Sequence, residues 1–217
     1  MIALESLMDI DALPWQADWY RTKVMGAKGR RLDQEFRLYF IDHAQHTPPV
    51  GVPAQGHTVS YQGALEQALR DVSAWVETGV PPPASTSYKV VDSQILVPPT
   101  AAERKGLQPV VAVTANGGAR AEVAVGTPVA FSAIVEVPPN TGTVVAAEWD
   151  FEGAGNYPIA AELAGTTSSR VTLKATYSFA KPGTYFPVLR ATSQRQGDTT
   201  SPYALVRNLG RVRVVVK

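Results

Sequence analysis

The chain has 217 residues, enough for two domains of about 100 residues each. At 45% hydrophobic and 18% charged residues it is neither disordered nor membrane-like, and a formal charge of +1 argues against nucleic acid as the main partner. Cysteine is absent, which excludes disulfides, thiol nucleophiles and thiolate metal sites. No stretch reaches the roughly 20 apolar residues of a membrane span. Met1 is followed by no basic n-region, so the chain as it stands is not expected to carry a signal peptide.

In chain order, a short apolar run, Ile2 to Met8, delivers Asp9. Trp15, Trp19 and Val24 then recur near helical spacing and predict a helix between Pro14 and Gly29 with one buried stripe. A second run, Phe36 to Ile41, delivers Asp42-His43-Ala44-Gln45-His46. From Tyr61 to Thr78, Leu65, Leu69, Val72 and Val76 predict an amphipathic helix whose face Trp75 extends. Gly79 and Pro81-Pro82-Pro83 stop it. Pro81 to Pro109 reads as a semi-rigid connector, in which Tyr88 to Val91 and Gln94 to Val97 flank Asp92-Ser93 as a small hairpin.

Beyond Val110 the texture becomes short β runs broken by turn residues. The expected strands are Val110 to Ala115, Glu122 to Val125, Val129 to Val137, Val144 to Phe151, Arg170 to Tyr177, Gly183 to Ser193 and Arg211 to Val216. Seven such strands predict an antiparallel sandwich.

The order strand, acid, helix, strand, histidine resembles the end of an α/β-hydrolase, whose triad runs Ser, then Asp or Glu, then His. The resemblance is carried by Met8-Asp9-Ile10-Asp11 as the acid loop and by Phe36 to His46 as the last strand and histidine loop. It covers residues 1–80 and implies an esterase-like fold in which Asp9 is the catalytic acid and His46 the catalytic histidine. Gln45 stands where families often show glycine, so His43 is the alternate histidine, and Asp11 is the alternate acid. The paired loops have plainer readings too: Asp11 as a helix cap, the histidines as ordinary loop residues, or His43 and His46 with His57 as metal ligands. No HExxH pattern accompanies them, and no cofactor or metal is expected. No Gly-x-Ser-x-Gly occurs, so the nucleophile is expected upstream of Met1. Residues 1–80 are expected to be inactive alone, because two strands and two helices leave the faces of such a sheet bare.

A second resemblance rests on Glu148-Trp149-Asp150-Phe151-Glu152-Gly153-Ala154-Gly155 and on Tyr177-Ser178-Phe179-Ala180-Lys181-Pro182-Gly183-Thr184-Tyr185. Both resemble the hallmarks of a PKD (polycystic kidney disease) domain, and they fall in the right order. Trp149 and Phe151 are expected in the core and Asp150 on the backbone amides of the next turn. Glu152 and Ala154 depart from the family's Gly and Asp, so no calcium is expected there. The resemblance implies an immunoglobulin-like, extracellular spacer or adhesion module, sometimes appended to hydrolases, with carbohydrate or protein as partner. Tyr157 and Tyr203 are the aromatics that would stack on a sugar if exposed.

The expected organisation is therefore an α/β fragment over 1–80, a linker over 81–108 and an all-β PKD-like sandwich over 109–217. The expected function is the C-terminal part of a secreted bacterial serine hydrolase, with a non-catalytic adhesion or spacer protein as the alternative.

Overall fold

A computed structural model describes residues 1–50, 56–163 and 168–217. Strands β1 (Ile2–Ser6) and β2 (Arg37–Ile41) pair in parallel, from Ile2 opposite Arg37 to Ser6 opposite Ile41. Helix α1 (Trp15–Lys28) and the single turn α2 (Leu32–Glu35) make the crossover that a parallel pair requires. Every residue of β2 is buried, as expected of a strand covered on both faces. Its alternation sends Leu38 and Phe40 to one side and Tyr39 and Ile41 to the other.

The two sides are covered by different parts of the chain. On the first, Ala17 and Val24 of α1 pack with Tyr88, Ile95 and Val97 of the connector. That connector holds the expected hairpin, β3 (Lys89–Val91) and β4 (Gln94–Leu96), turned by Asp92 and Ser93 at φ 48° and 63°. On the second side, helix α3 (Gln62–Thr78) and the sandwich share one cluster with β2, in which Tyr39, Ile41, Ala64 and Ala68 meet Val188, Val206 and Leu209. The cover that two strands and two helices lack is thus supplied by the sandwich. A one-turn helix, α4 (Ala101–Arg104), capped by Thr100, leads into it.

The sandwich comprises β5 (Val110–Ala115), β6 (Arg120–Val123), β7 (Pro128–Glu136), β8 (Thr143–Asp150), β9 (Ile159–Ala160), β10 (Arg170–Ser178), β11 (Gly183–Tyr185), β12 (Val188–Gln194), β13 (Val206–Arg211) and β14 (Arg213–Val216). Its sheets run β10-β7-β5, β13-β12-β8-β9 and β11-β14-β6. Three expectations are corrected. The run Gly183 to Ser193 splits into β11 and β12, because Pro187 cannot donate to a ladder. The last run splits around Val212, and its first half begins earlier, at Val206, through polar residues that carry no strand signal. The pairing of β14 with β6 is parallel, so the sandwich is not wholly antiparallel.

Trp149 and Phe151 enter the core, at 1% and 4% exposure, and stack at 5.2 Å between ring centres. Phe131, Tyr177, Phe179 and Tyr185 continue the ladder. Asp150 accepts from the amides of Gly153 and Gly155, closing the turn that follows β8.

Both helices turn a different face inward from the one their periodicity predicts. In α3 the buried residues are Gly63, Ala64, Gln67, Ala68 and Asp71, while Leu65, Leu69 and Val76 are exposed. The reason is the closeness of the sandwich backbone: a Cβ on Gly63 would lie 1.9 Å from the Leu205 carbonyl oxygen. Only small residues fit such an approach. Glu66 accepts from the Ala204 amide and Asp71 pairs with Arg195 at 3.0 Å, so polar contacts reinforce the same face. In α1 no residue is buried: Trp15 and Trp19 of the expected stripe are exposed, and Val24 of that stripe packs inward beside Ala17.

Candidate functional site

The carboxyl ends of β1 and β2 lie side by side, so the loops that leave them are neighbours. The Leu7 amide still bonds the Ile41 carbonyl, and the Met8 amide bonds the Ala44 carbonyl, both at 2.9 Å. Ser6 donates its hydroxyl to the Gln45 carbonyl, tethering the histidine loop to the end of β1. This zipper brings Asp9 and His46 together.

Asp9 is buried, and its Oδ1 accepts three hydrogen bonds: from the Asp11 amide at 2.9 Å, the Ala12 amide at 3.0 Å and His46 Nδ1 at 2.8 Å. Burial works to raise this carboxyl, but the Asp11 amide, the His46 ring and the Ala12 amide outweigh it and hold Asp9 below the ordinary carboxylate range. A carboxylate only accepts, so Nδ1 of His46 carries a proton and Nε2 is the nitrogen left for chemistry. The bond to Asp9 raises the imidazole above its usual value, with partial desolvation opposing and the charges of Asp9 and Asp11 adding to the rise. His46 is half-exposed, and its Nε2 lies 3.5 Å from Oδ2 of the exposed Asp11. An imidazole oriented by a buried carboxylate, with Nε2 facing outward, is able to take a proton from a hydroxyl placed against it.

The alternates sit elsewhere. His43, at φ 55°, turns toward the sandwich, where its Nδ1 lies 2.9 Å from Asn208 Oδ1. His57 lies 2.7 Å from an Arg211 guanidinium nitrogen through its own Nδ1, and burial followed by the Arg211 charge lowers it. The three histidines therefore serve three different partners and do not converge as a metal site. Among the described residues, the group with ligand atoms within 4.8 Å of one another is Asp9, Asp11 and His46. In it the inner Asp9 oxygen is already occupied by three donors, so only Asp11 and His46 Nε2 face outward.

Several positioning residues carry no signal in the sequence. Gln108 is buried and bridges the Asp42 backbone to the Arg207 carbonyl, and Arg104 pairs with Asp42 at 3.2 Å. They hold the start of the histidine loop from partners 62 and 66 residues away. A cleft of about 270 Å³ beside Asp9 is walled by Leu7, Leu13 and Trp15 and closed by Gln94 and Ile95 of the hairpin. Of the two candidate sugar-stacking aromatics, Tyr203 is exposed, but Tyr157 is buried with Arg190 packed on its ring at 4.0 Å.

Glu5 lies half-buried one helical turn's length of chain before Asp9. Burial first, and the Asp9 charge second, push its carboxyl up to about 7 from an ordinary 4.5. The folded state therefore keeps a proton that the unfolded chain releases, and the cost of Glu5 grows as pH rises from 4.5 through 7. Half-exposure screens this charge, which brings the cost above pH 7 to about 1–2 kcal/mol. Glu5→Gln should accordingly stabilise the chain by that amount at about pH 8 and by almost nothing at about pH 4. Urea midpoints at the two pH values check this; an equal gain at both would rule the charge out as the cause.

Among known families, residues 111–201 match the PKD domain. No curated protein matches the chain. Of solved structures, the PKD domain of an M14-like peptidase from a Thermoplasmatales archaeon is similar at 16% identity and TM-score 0.34, covering 51% of this chain and 98% of that one. A CARDB domain from Pyrococcus furiosus, solved in complex with di-metal ions, is similar at 12% identity and TM-score 0.34, covering 50% of this chain and 92% of that one. A solution structure of a CARDB domain from the same organism is similar at 14% identity and TM-score 0.31, with 50% and 95% covered. PKD domains are commonly extracellular, and no described helix is long and apolar enough to cross a membrane. The matched segment runs from the first sandwich strand past β12, and residues 111–201 form a PKD domain.

Proposed function

We propose that the chain is the C-terminal part of a secreted, esterase-like serine hydrolase, in which residues 1–80 carry the acid and base of the triad and the PKD domain is an appended module. The observation that supports this reading is the 2.8 Å bond between the buried Asp9 carboxylate and His46 Nδ1, made where two parallel strands end. Asp9 fixes the tautomer and steadies the imidazolium; His46 Nε2 takes the proton of a serine hydroxyl and returns it to the leaving group. The serine is supplied from outside these residues. In keeping with that, β1 pairs only with β2 among the described residues, so its other edge is open to a further parallel strand.

The reading is tested with short-chain p-nitrophenyl esters. The chain as given should hydrolyse them no faster than buffer. The same chain extended by its in-frame upstream coding sequence should hydrolyse them, and His46→Ala should cut that rate by about 10³-fold or more. An upstream sequence without a serine elbow, or hydrolysis indifferent to His46→Ala, would sink it.

The second reading is a non-catalytic extracellular protein that acts through its PKD domain on protein or carbohydrate. The lack of any Gly-x-Ser-x-Gly in the sequence favours it. Under it, the Asp9–His46 bond joins two loops and does nothing more.

A further inference from the structure

The edge of β2 away from β1 is closed by the connector, not by a strand. The Leu38 amide donates to Ser85 Oγ and the Phe40 amide to Thr86 Oγ1, both at 3.1 Å, and the Thr86 amide donates to the Leu38 carbonyl at 2.9 Å. A hydroxyl that accepts from an amide still holds its own proton for another partner. Beside this seam a cleft of about 610 Å³ opens, lined by Ser85, Thr86 and Ser87.

Arg37, at the start of β2, is the buried cation of this cleft, at 8% exposure. Its acceptors are carbonyls: Nε donates to Pro83 at 2.9 Å, and Nη1 donates to Asp33 and Phe36. A guanidinium so deeply placed is ordinarily paired with a carboxylate, and here no acid bonds it. Trp75 covers one face of the guanidinium at 5.1 Å. Its Nη2 has no acceptor among the described residues and keeps accessible surface, so it is a donor open to the cleft.

A second cation comes from the turn after α4. Lys105 stands at φ 57° and ψ −147°, a conformation that glycine adopts more readily than any side-chain-bearing residue. The strain buys an ammonium on the wall of the cleft. With Arg21 of α1, three cations face two acids, Asp18 and Asp33, so the lining carries a positive excess. The donors belong to four different parts of the chain and surround the space instead of lying in one plane. That arrangement suits a tetrahedral oxyanion. The two carboxylates are acceptors for hydroxyl groups, and the volume fits a body of monosaccharide size.

We propose that this cleft binds the oxyanion end of a small hydroxylated ester, a sugar phosphate or a sugar sulfate. Arg37 Nη2 and Lys105 are its charged donors, the Ser85 and Ser87 hydroxyls its neutral ones, and Asp33 accepts from a hydroxyl of the body. The cleft shares no lining residue with the one beside Asp9, and the proposal depends on neither reading of the function.

The test titrates the intact chain with glucose 6-phosphate and glucose 6-sulfate, followed by calorimetry, with glucose as the blank. At least one ester should bind with a Kd below about 1 mM, and glucose should not bind at up to about 10 mM. Binding of the phosphate alone would assign a phosphate ester, of the sulfate alone a sulfate ester, and of both the shared oxyanion. Lys105→Gly should weaken binding at least about tenfold while the urea midpoint holds or rises, because glycine relieves the backbone. Arg37→Lys, which keeps the charge but not the fork, should weaken binding too. Lys217→Gln, at an exposed pair with Glu122, should leave it unchanged. Failure of both esters to bind, or glucose binding as tightly as they do, would overturn the proposal. So would binding that survives Lys105→Gly. The wild-type titration and Lys105→Gly decide the matter even if the Arg37 variant does not fold.

Discussion

Gly63→Ala is expected to destabilise the chain by about 2–4 kcal/mol, although alanine is the better helix former by about 1 kcal/mol. The added Cβ would sit 1.9 Å from the Leu205 carbonyl oxygen and 2.4 Å from its carbon. Both obstacles are backbone, so no rotamer relieves the clash and α3 must back away from β13. In doing so it withdraws Ala64 and Ala68 from the shared cluster and stretches the Glu66–Ala204 and Asp71–Arg195 contacts. Asp71 is buried, and a buried charge that loses its partner is costly. The sign of the effect is the informative part. If α3 were a loosely laid surface helix, propensity would win and the variant would be slightly more stable. Urea unfolding gives the sign, and limited proteolysis should show the variant cut near Gly79 sooner than the wild type. A neutral or stabilising result would mean that α3 does not dock on the sandwich as described.

Trp149→Ala should cost about 3–5 kcal/mol, a large fraction of the stability of an ordinary domain. The indole is 1% exposed and lies 5.2 Å from the Phe151 ring and 5.9 Å from Phe131, at one end of the aromatic ladder. Its Nε1 is buried with no acceptor among the described residues, so none of this cost is a lost hydrogen bond. Trp149→Phe is therefore the matched control: it leaves a smaller void and removes an unsatisfied donor, and should cost no more than about 1–2 kcal/mol. Equal losses for the two variants in urea unfolding would show that the indole N–H has a partner after all, and a loss below about 1 kcal/mol for Trp149→Ala would take the residue out of the core.

Much of the candidate site is legible in the residues. Asp9 and His46 each follow an apolar run, and the helix-length interval between them allows a parallel pair that carries both loops to one edge. Which of His43 and His46 meets the acid is not legible. The answer depends on Asn208, which lies 165 residues from His43 and draws it to the sandwich.

Local chemistry, then, is written in the chain: the stop at Gly79, the Asp92-Ser93 turn, and the Trp149-Asp150-Phe151 strand end that marks the PKD domain before any fold is seen. These depend on neighbours within a few residues, where backbone conformation and side-chain chemistry act directly. The direction each helix faces was decided in three dimensions. Periodicity locates an apolar stripe but not the surface that arrives to cover it, and in α3 a close backbone preferred glycine and alanine to the leucines. Burial is a property of two surfaces, and only one of them lies in the segment being read.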